Sequence, residues 1–172
     1  RTGGKGANSA AAAANSAPCE LIANLGASSA SGNPLLLADL AASGGGVRTS
    51  RCRVLDNVPT GTAYIMLYHD RDNCIVLLGG ANQQWPTAAE VTEQLREPMT
   101  KSAVVMLQRE VPEFVNVAAA SLAHKLGKPV FMDVGGTNAP LDRLLLPHID
   151  LISPNEAELS DISGVDTTGD EG

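Results

Sequence analysis

The second half of the chain alternates between apolar runs and segments with helical periodicity. Three continuous apolar runs, at 103–108, 129–134 and 149–153, predict strands buried on both faces. Helices are predicted after them: one opened by Pro112, a short one at 141–147, and a last one over 154–164. The first of these has a stripe on one face, formed by Val115, Ala118, Leu122 and Leu126. This order predicts an α/β fold with a doubly wound, Rossmann-like and mostly parallel sheet.

The first half has shorter elements. The small residues at 7–16 predict a helix, 19–26 predicts a strand, and 32–46 predicts a helix that is stopped by glycine. Three more strand candidates follow, and the last two flank a polar stretch that is typical of a hairpin turn. Their ranges are 51–56, 60–70 and 73–80.

A helix with clear start signals follows these strands. Thr87 and Glu90 have the spacing of a capping box, in which each side chain bonds the backbone of the other residue. The apolar stripe behind them consists of Ala88, Val91, Leu95 and Met99. We therefore predict a helix from about residue 87 to 99 that buries this stripe.

Composition excludes several classes of function. The 172 residues carry a formal net charge of −7 and lack the Lys/Arg cluster that a nucleic-acid backbone requires, so we expect no nucleic-acid partner. No apolar run approaches the roughly 20 residues of a membrane span, so no membrane partner is expected. Three widely spaced cysteines, Cys19, Cys52 and Cys74, fit neither a disulfide framework nor a zinc site. A soluble protein of a reducing, intracellular compartment is the expectation.

The opening sequence GGKGAN, at residues 3–8, is the sharpest candidate for chemistry. It has neither the spacing of a Walker A loop nor that of the G-x-G-x-x-G dinucleotide loop. Bare backbone at Gly4 allows a small, hydroxyl-rich ligand to approach closely, and Lys5 and Asn8 add polar groups. A tight turn into a helix, with glycine needed only for conformation, is the alternative. The cation and the amide favour a polyol site.

Polar residues also follow the three strands of the second half. Glu110 comes after the first strand, Asp133 ends the second, and Ser153 ends the third. Ligands of open parallel sheets bind beyond the carboxyl ends of the strands, which makes these positions candidates. Chance placement of polar residues in loops is the alternative.

The third strand leads into a helix that offers two carboxylate roles. With Ser153 as N-cap and Pro154 as the first helical residue, Glu156 is the expected capping-box partner. Asn155 and Glu158 then lie on one helical face near the positive end of the helix dipole. Glu158 could hold a hydrated Mg²⁺ beside a phosphate there.

Several motifs in a fixed order together carry a resemblance. They are GGKGAN, TGTAYIML (60–67), the segment from Asn73 to Asn82, LQREVP (107–112) and DLISPNEAEL (150–159). Over residues 3 to about 164 the chain resembles the PfkB family of carbohydrate kinases, in particular its plant and algal ribokinase type. The fold that the resemblance implies is the ribokinase-type sheet with a small β-sheet lid.

The resemblance implies phosphorylation of D-ribose at its 5-hydroxyl group by MgATP. Gly4, Lys5 and Asn8 would bind the sugar hydroxyls, and Glu110 would be the sugar-binding carboxylate. The pair that organises Mg²⁺ and the ATP phosphates would be Asn155 and Glu158, with Glu158 acting on the metal indirectly. The strands around 51–80 would form the lid, through which a homodimer forms. A monovalent cation, K⁺, is implied for the full-length enzyme.

The resemblance also implies that this chain is truncated at both ends. The aspartate base of the family would lie beyond residue 172, so no catalytic residue is assigned and the chain alone is expected to be inactive. The ending VDTTGDEG (165–172) imitates the family's G-A-G-D motif but comes too early. Compartment, cytosol or plastid, is undecided. The alternatives are another PfkB sugar or nucleoside kinase, or a non-catalytic sugar-binding or interaction module.

Overall fold

The structure is a computed structural model, and it describes residues 2–27, 33–44, 46–67, 73–137 and 139–167. The chain divides into two compact units, Arg1–Gln84 and Trp85–Gly172. Within the described ranges, no helix combines the length and the apolar character that crossing a bilayer demands. The last five residues of the VDTTGDEG sequence lie outside these ranges.

The first unit is built from short elements. In chain order they are α1 (Lys5–Ala13), β1 (Cys19–Glu20), β2 (Asn24–Gly26), α2 (Asn33–Ala42), β3 (Val47–Arg48), β4 (Arg53–Leu55), β5 (Thr62–Leu67), β6 (Asn73–Leu78) and a 3₁₀ helix (Gly80–Gln83). Small and aliphatic side chains of α1, α2 and β3 form its core, namely Ala10, Ala14, Leu40 and Val47. The predicted helices are confirmed, and α1 begins two residues earlier than predicted.

The predicted strand at 19–26 is interrupted. β1 pairs with β3 and β2 pairs with β4, both in parallel. The register shifts by one residue between the two pairs, from Cys19 opposite Val47 to Asn24 opposite Arg53. A turn that the Cys52 N–H closes onto the Thr49 carbonyl takes up the extra residue. The break is therefore a bulge between two paired strands, which no pattern in one strand alone can show.

β5 and β6 form the predicted antiparallel hairpin. The side chains on both of its faces are largely apolar and exposed, with Tyr64, Ile65 and Leu67 at 57%, 61% and 78%. β4 pairs with β2, not with the hairpin. The three strands in the 51–80 region therefore do not form one sheet: β4 belongs to the parallel pair with β2, and β5 and β6 form a separate two-stranded sheet.

The second unit is a small parallel α/β sheet. Its elements are α3 (Ala88–Lys101), β7 (Val105–Gln108), α4 (Glu113–Lys125), β8 (Val130–Asp133), a 3₁₀ helix (Leu146–His148), β9 (Leu151–Ser153) and α5 (Glu156–Ser163). The strands are parallel in the order β7-β8-β9. The predicted parallel α/β arrangement is confirmed.

α3 follows its sequence signals closely. Thr87 is its N-cap and forms the predicted capping box with Glu90. Val91, Leu95 and Met99 are buried as expected, whereas Ala88 is exposed. The first turn lies at the edge of the buried stripe, so its alanine stays in solvent.

Two expectations for the second unit are wrong. The segment 141–147 forms a turn followed by the 3₁₀ helix instead of a short α-helix. The strands are not buried on both faces. Leu107 and Met132, which pair across β7 and β8, are buried, but on the other face Phe131 and Leu151 are 43% and 54% exposed. In the described residues α4 packs on one face of the sheet. The apolar side chains on the other face of the strands are therefore left partly exposed.

Candidate functional site

The carboxyl ends of three parallel strands form the candidate site of the second unit. β7, β8 and β9 run in one direction, so Glu110, the glycines after Asp133, and Asn155 all follow the same edge of the sheet. β8 lies between the other two strands. The ends of β7 and β9 are thus two strand spacings apart, roughly 10 Å. Side chains from both ends could therefore contact a sugar bound between them.

The tip of α5 differs from the expectation. Asn155, not Ser153, is the N-cap, and Glu158, not Glu156, completes the capping box. The Asn155 Oδ1 accepts the Glu158 N–H at 2.8 Å, and the Glu158 Oε2 accepts the Asn155 N–H at 2.8 Å. Ser153 is paired with Asp133 in the sheet, and a residue in a strand cannot cap a helix that starts three residues later.

The capping box gives Asn155 and Glu158 a structural role at the place where a ligand role was predicted. The two side chains are held in defined positions by each other's backbone, and Glu158 is half-buried. One carboxylate oxygen of Glu158 is engaged by the Asn155 N–H. A group fixed in this way is preorganised, and structural and ligand roles can coexist in it.

Glu110 lies against a glycine of the neighbouring strand end. A Cβ atom on Gly136 would come within 3.1 Å of the Glu110 Cγ and within 3.3 Å of the Arg109 carbonyl carbon. Gly136 also has a φ of 113°, a backbone conformation that is unfavourable for residues with a Cβ atom. The loop after β8 therefore packs directly on Glu110, and glycine is required there.

Next to Glu110 is an ion pair, between a buried arginine and a half-buried glutamate, that was not predicted from the sequence. Arg109 Nε lies 3.4 Å from the Glu113 Oε2, and its Nη2 donates to the Pro140 carbonyl at 3.0 Å. The Glu113 Oε1 accepts the Asp142 N–H at 3.2 Å. The i,i+4 spacing of the two charges is visible in sequence, but it usually indicates an exposed helical pair.

In the first unit the glycine-rich opening forms the start of α1. Gly4 is the N-cap, with φ 105° and ψ 143°, and Lys5 is the first helical residue. No side chain caps this helix start, and no acidic residue lies in its first turn. Asn8 is exposed, and its Oδ1 is 4.0 Å from where a Cβ on Gly3 would lie. Backbone N–H groups, an amide and a cation are thus collected at the positive end of a helix.

A buried polar network in the first unit was also missed by the sequence analysis. The Asn33 side chain donates to the Gly26 carbonyl, and the Thr60 hydroxyl accepts the Gly26 N–H at 2.8 Å. A Cβ on Gly26 would lie 2.1 Å from the Val58 carbonyl oxygen, so the segment leading to β5 crosses β2 at backbone contact. This network fixes the approach to the hairpin.

Comparison with known proteins identifies the family. The sequence pattern of the pfkB family carbohydrate kinases matches residues 1–171. The chain belongs to the PfkB family of carbohydrate kinases. Among curated PfkB relatives, it is 40% identical to a ribokinase of Arabidopsis thaliana over 96% of this chain and 43% of that protein. It is 31% identical to a ribokinase of Haemophilus influenzae over 98% of this chain and 53% of that protein.

Solved structures of the PfkB family agree. The structure of Arabidopsis thaliana ribokinase complexed with ribose and ATP superimposes with a TM-score of 0.84 at 38% identity. It covers 98% of this chain and 54% of that one. The predicted family and the ribokinase-type α/β fold are therefore confirmed. The chain spans about half the length of the relatives that it matches.

The predicted ligand residues fall into the two units. Gly4, Lys5 and Asn8 lie in the first, and Glu110, Asn155 and Glu158 lie in the second. Their roles stay predictions, as does their grouping around one ligand. Within the described ranges, no three His, Cys, Asp or Glu side chains form a cluster that could hold a metal ion.

Proposed function

We propose that the full product of the gene that carries this chain is a ribokinase, which transfers the γ-phosphoryl group of ATP to the 5-hydroxyl of D-ribose. The products are ribose 5-phosphate and ADP. One observation carries the proposal: the 40% identity, over 96% of this chain, to the ribokinase of Arabidopsis thaliana. The similarity to the structure of that protein with ribose and ATP supports it.

The start of α1 would bind the sugar. The N-cap residue Gly4 offers no side-chain cap, and N–H groups at the start of a helix are suited to donate hydrogen bonds to ligand oxygens. Gly4 keeps the backbone bare where the sugar approaches, and Lys5 and Asn8 supply a cation and an amide that can discriminate hydroxyl positions. Glu110, at the end of β7, would accept hydrogen bonds from further hydroxyl groups.

The α5 tip would serve the nucleotide phosphates. Mg²⁺ keeps several water ligands and typically takes one or two protein carboxylates together with substrate phosphates. The tip of α5 fits such a hydrated ion, because Glu158 offers a half-buried carboxylate there. Mg²⁺, when bound, neutralises phosphate charge. The Asn155 N–H would fix the Glu158 carboxylate through the capping box.

The mechanism would rest on positioning and on charge neutralisation. Phosphoryl transfer needs the attacking oxygen and the leaving oxygen in line, with the charge of the three equatorial oxygens stabilised. In this chain the α1 start and Glu110 would orient the sugar, and Asn155 and Glu158 would organise the phosphate side. The aspartate base and the monovalent-cation (K⁺) site that the family resemblance implies are assigned to no residue here.

The β5–β6 hairpin would be a lid and a dimer contact. Cross-strand partners lie on one face of the hairpin. One face carries Ile65 opposite Ile75, and the other carries Tyr64 opposite Val76. All four are at least 44% exposed. An isolated two-stranded hairpin is only marginally stable in water. Apolar side chains on both of its faces therefore favour a contact on each face, with the bound sugar on one and a second copy of the chain on the other.

The test is acceptor specificity of the purified full gene product. We expect ribose to be phosphorylated with a far higher kcat/KM than fructose or adenosine. Lys5→Ala and Glu110→Gln should raise the KM for ribose, by roughly tenfold or more each, because they remove charge-assisted hydrogen bonds. Lys101→Ala, which removes an exposed lysine paired with Glu97 on α3, is the matched control and should change neither constant. Preferred turnover of fructose or adenosine would show that the protein is a sister kinase, and absence of turnover with every acceptor would support a binding module.

A further inference from the structure

The ion pair beside Glu110 is unusual in its burial. The Arg109 side chain is 4% exposed and that of Glu113 is 26% exposed. Within the part of the chain that the structure describes, Arg109 is the one charged residue that is buried. Burying a charge is unfavourable unless the charge is paired and hydrogen-bonded, so an arginine here requires its partners.

The pair connects three segments around the end of β7. Arg109 follows that strand directly, Glu113 lies in the first turn of α4, and Pro140 and Asp142 belong to the segment between β8 and β9. The guanidinium bonds both the Glu113 carboxylate and the Pro140 carbonyl. The other carboxylate oxygen of Glu113 accepts a hydrogen bond from the Asp142 N–H. The two side chains therefore hold the approach to α4 and the loop after β8 together.

Glu110 is flanked by the segments that this pair connects. It follows Arg109 by one peptide bond and precedes α4 by three residues. On the β8 side, Gly136 allows the loop backbone to contact the Glu110 side chain, since a Cβ there would lie 3.1 Å from the Glu110 Cγ. Movement of the loop or of the Arg109 backbone would thus change the place of the Glu110 carboxylate.

We propose that Arg109, Glu113 and Gly136 are positioning residues that fix the Glu110 carboxylate for sugar binding. This rests on the proposed function, in which Glu110 binds the acceptor. Arg109 acts through the backbone and the loop and does not touch the substrate. The gain is preorganisation, because a displacement of about 1 Å can cost roughly a hundredfold in rate.

The experiment compares acceptor and nucleotide kinetics of variants of the full gene product. Arg109→Met and Glu113→Gln should raise the ribose KM by roughly tenfold while the ATP KM changes less than about twofold. Arg109→Lys should raise the ribose KM by less than Arg109→Met does, because lysine keeps the positive charge but lacks the planar guanidinium that bonds two partners. Gly136→Ala should act in the same direction without altering any charge. Arg96→Met is the matched control, since Arg96 forms an exposed pair with Glu93 on α3.

A parallel Glu110→Gln variant separates the possible failures. If Glu110→Gln raises the ribose KM but the variants of Arg109, Glu113 and Gly136 lower only the melting temperature, the positioning role is refuted and the proposed function stands. If Glu110→Gln leaves the KM of every accepted acceptor unchanged, Glu110 is not a sugar ligand and both assignments fall. Should Arg109→Met not fold, Glu113→Gln and Gly136→Ala decide by the same criteria.

Discussion

Glu158 shows how one side chain can serve both folding and ligand binding. Its carboxylate caps α5 through the Asn155 N–H, and in our proposal the same group acts on Mg²⁺ and on the ATP phosphates. The first role needs only an acceptor oxygen, whereas the second needs negative charge. Glutamine keeps the acceptor and removes the charge, so substitution can separate the two roles.

We expect Glu158→Gln to keep most of the stability while raising the Mg²⁺ concentration needed for half-maximal activity. Glu158→Ala should do the same to Mg²⁺ dependence and also lower the free energy of unfolding by about 1 kcal/mol, because the cap is lost. Urea unfolding and a Mg²⁺ titration of the kinase rate measure these effects. Glu90→Ala, in the equivalent capping box of α3, should reduce stability alone. An unchanged Mg²⁺ dependence in Glu158→Gln would rule out the metal role.

Two of the three partly buried cysteines, Cys19 and Cys52, allow a test of the first unit at the residue scale. Burial raises the pKa of the Cys19 thiol, against the opposing effect of the nearby Arg48 charge, and burial also raises the pKa of Cys52. The Cys52 Sγ donates to the Leu21 carbonyl at 3.4 Å. A raised pKa leaves less thiolate, the nucleophilic form, at any pH near neutrality.

Alkylation by iodoacetamide at pH 8 should therefore be slower at Cys19 and Cys52 in the native protein than in the urea-unfolded protein. For both thiols, the pH of half-maximal alkylation rate should be higher in the native state. Peptide mass spectrometry gives the rate at each site, and free glutathione corrects for the effect of urea on the reagent. Equal rates in the two states would contradict the burial of these thiols.

At the scale of elements, the start of α1 depends on one backbone conformation. Gly4 has φ 105°, which is outside the region open to residues with a Cβ, and its carbonyl accepts the Asn8 N–H at 2.9 Å. The helix therefore begins at Lys5 and brings Lys5 and Asn8 into its first turn. The proposed sugar contacts depend on this start.

Gly4→Ala should cost about 1–3 kcal/mol of stability through backbone strain and should also raise the ribose KM. Gly127→Ala is the control: Gly127 has φ 65°, and a Cβ added there would meet no atom within 4 Å, so this variant should lose stability and keep the KM. Chemical denaturation and steady-state kinetics on the same preparations compare the two variants. A KM that changes equally in both would show a general loss of folding instead of a local effect.

The start of α5 was predicted incorrectly from the sequence, for a reason that lies in its capping pattern. Two overlapping frames satisfy the capping-box pattern, Ser153 with Glu156 and Asn155 with Glu158. The sequence alone does not choose between them. Pairing of Ser153 with Asp133 in the sheet removes it as a cap and leaves Asn155. The choice depends on β8, twenty residues away along the chain.

At the scale of the whole molecule, both units have exposed apolar surfaces. The hairpin is apolar on both faces, and the sheet of the second unit is open on the face that carries Phe131 and Leu151. Patches of this kind mark contact surfaces. Of these, the hairpin is the one for which we propose an occupant, a second copy of the chain.

Ile65→Glu should weaken the dimer of the full gene product, because a charge would be buried against apolar side chains of the partner. Sedimentation velocity across a concentration series should show a shift toward monomer relative to the parent protein. Tyr64→Glu, on the opposite face of the same strand, tests which face makes the contact. Lack of a dimer in the parent protein, or no shift in either variant, would count against the hairpin contact.

The local patterns of the sequence were sufficient for much of this protein. Helical stripes, capping residues and apolar runs predicted α3, α4, the hairpin and the parallel second half, because these signals act within a few residues. The ordered motifs also predicted the PfkB family. Tertiary structure alone decided the break between β1 and β2, the cap of α5 and the burial of Arg109. Each depends on hydrogen bonds between segments distant in the chain, and the energy of such a contact is set by a partner that no local pattern specifies.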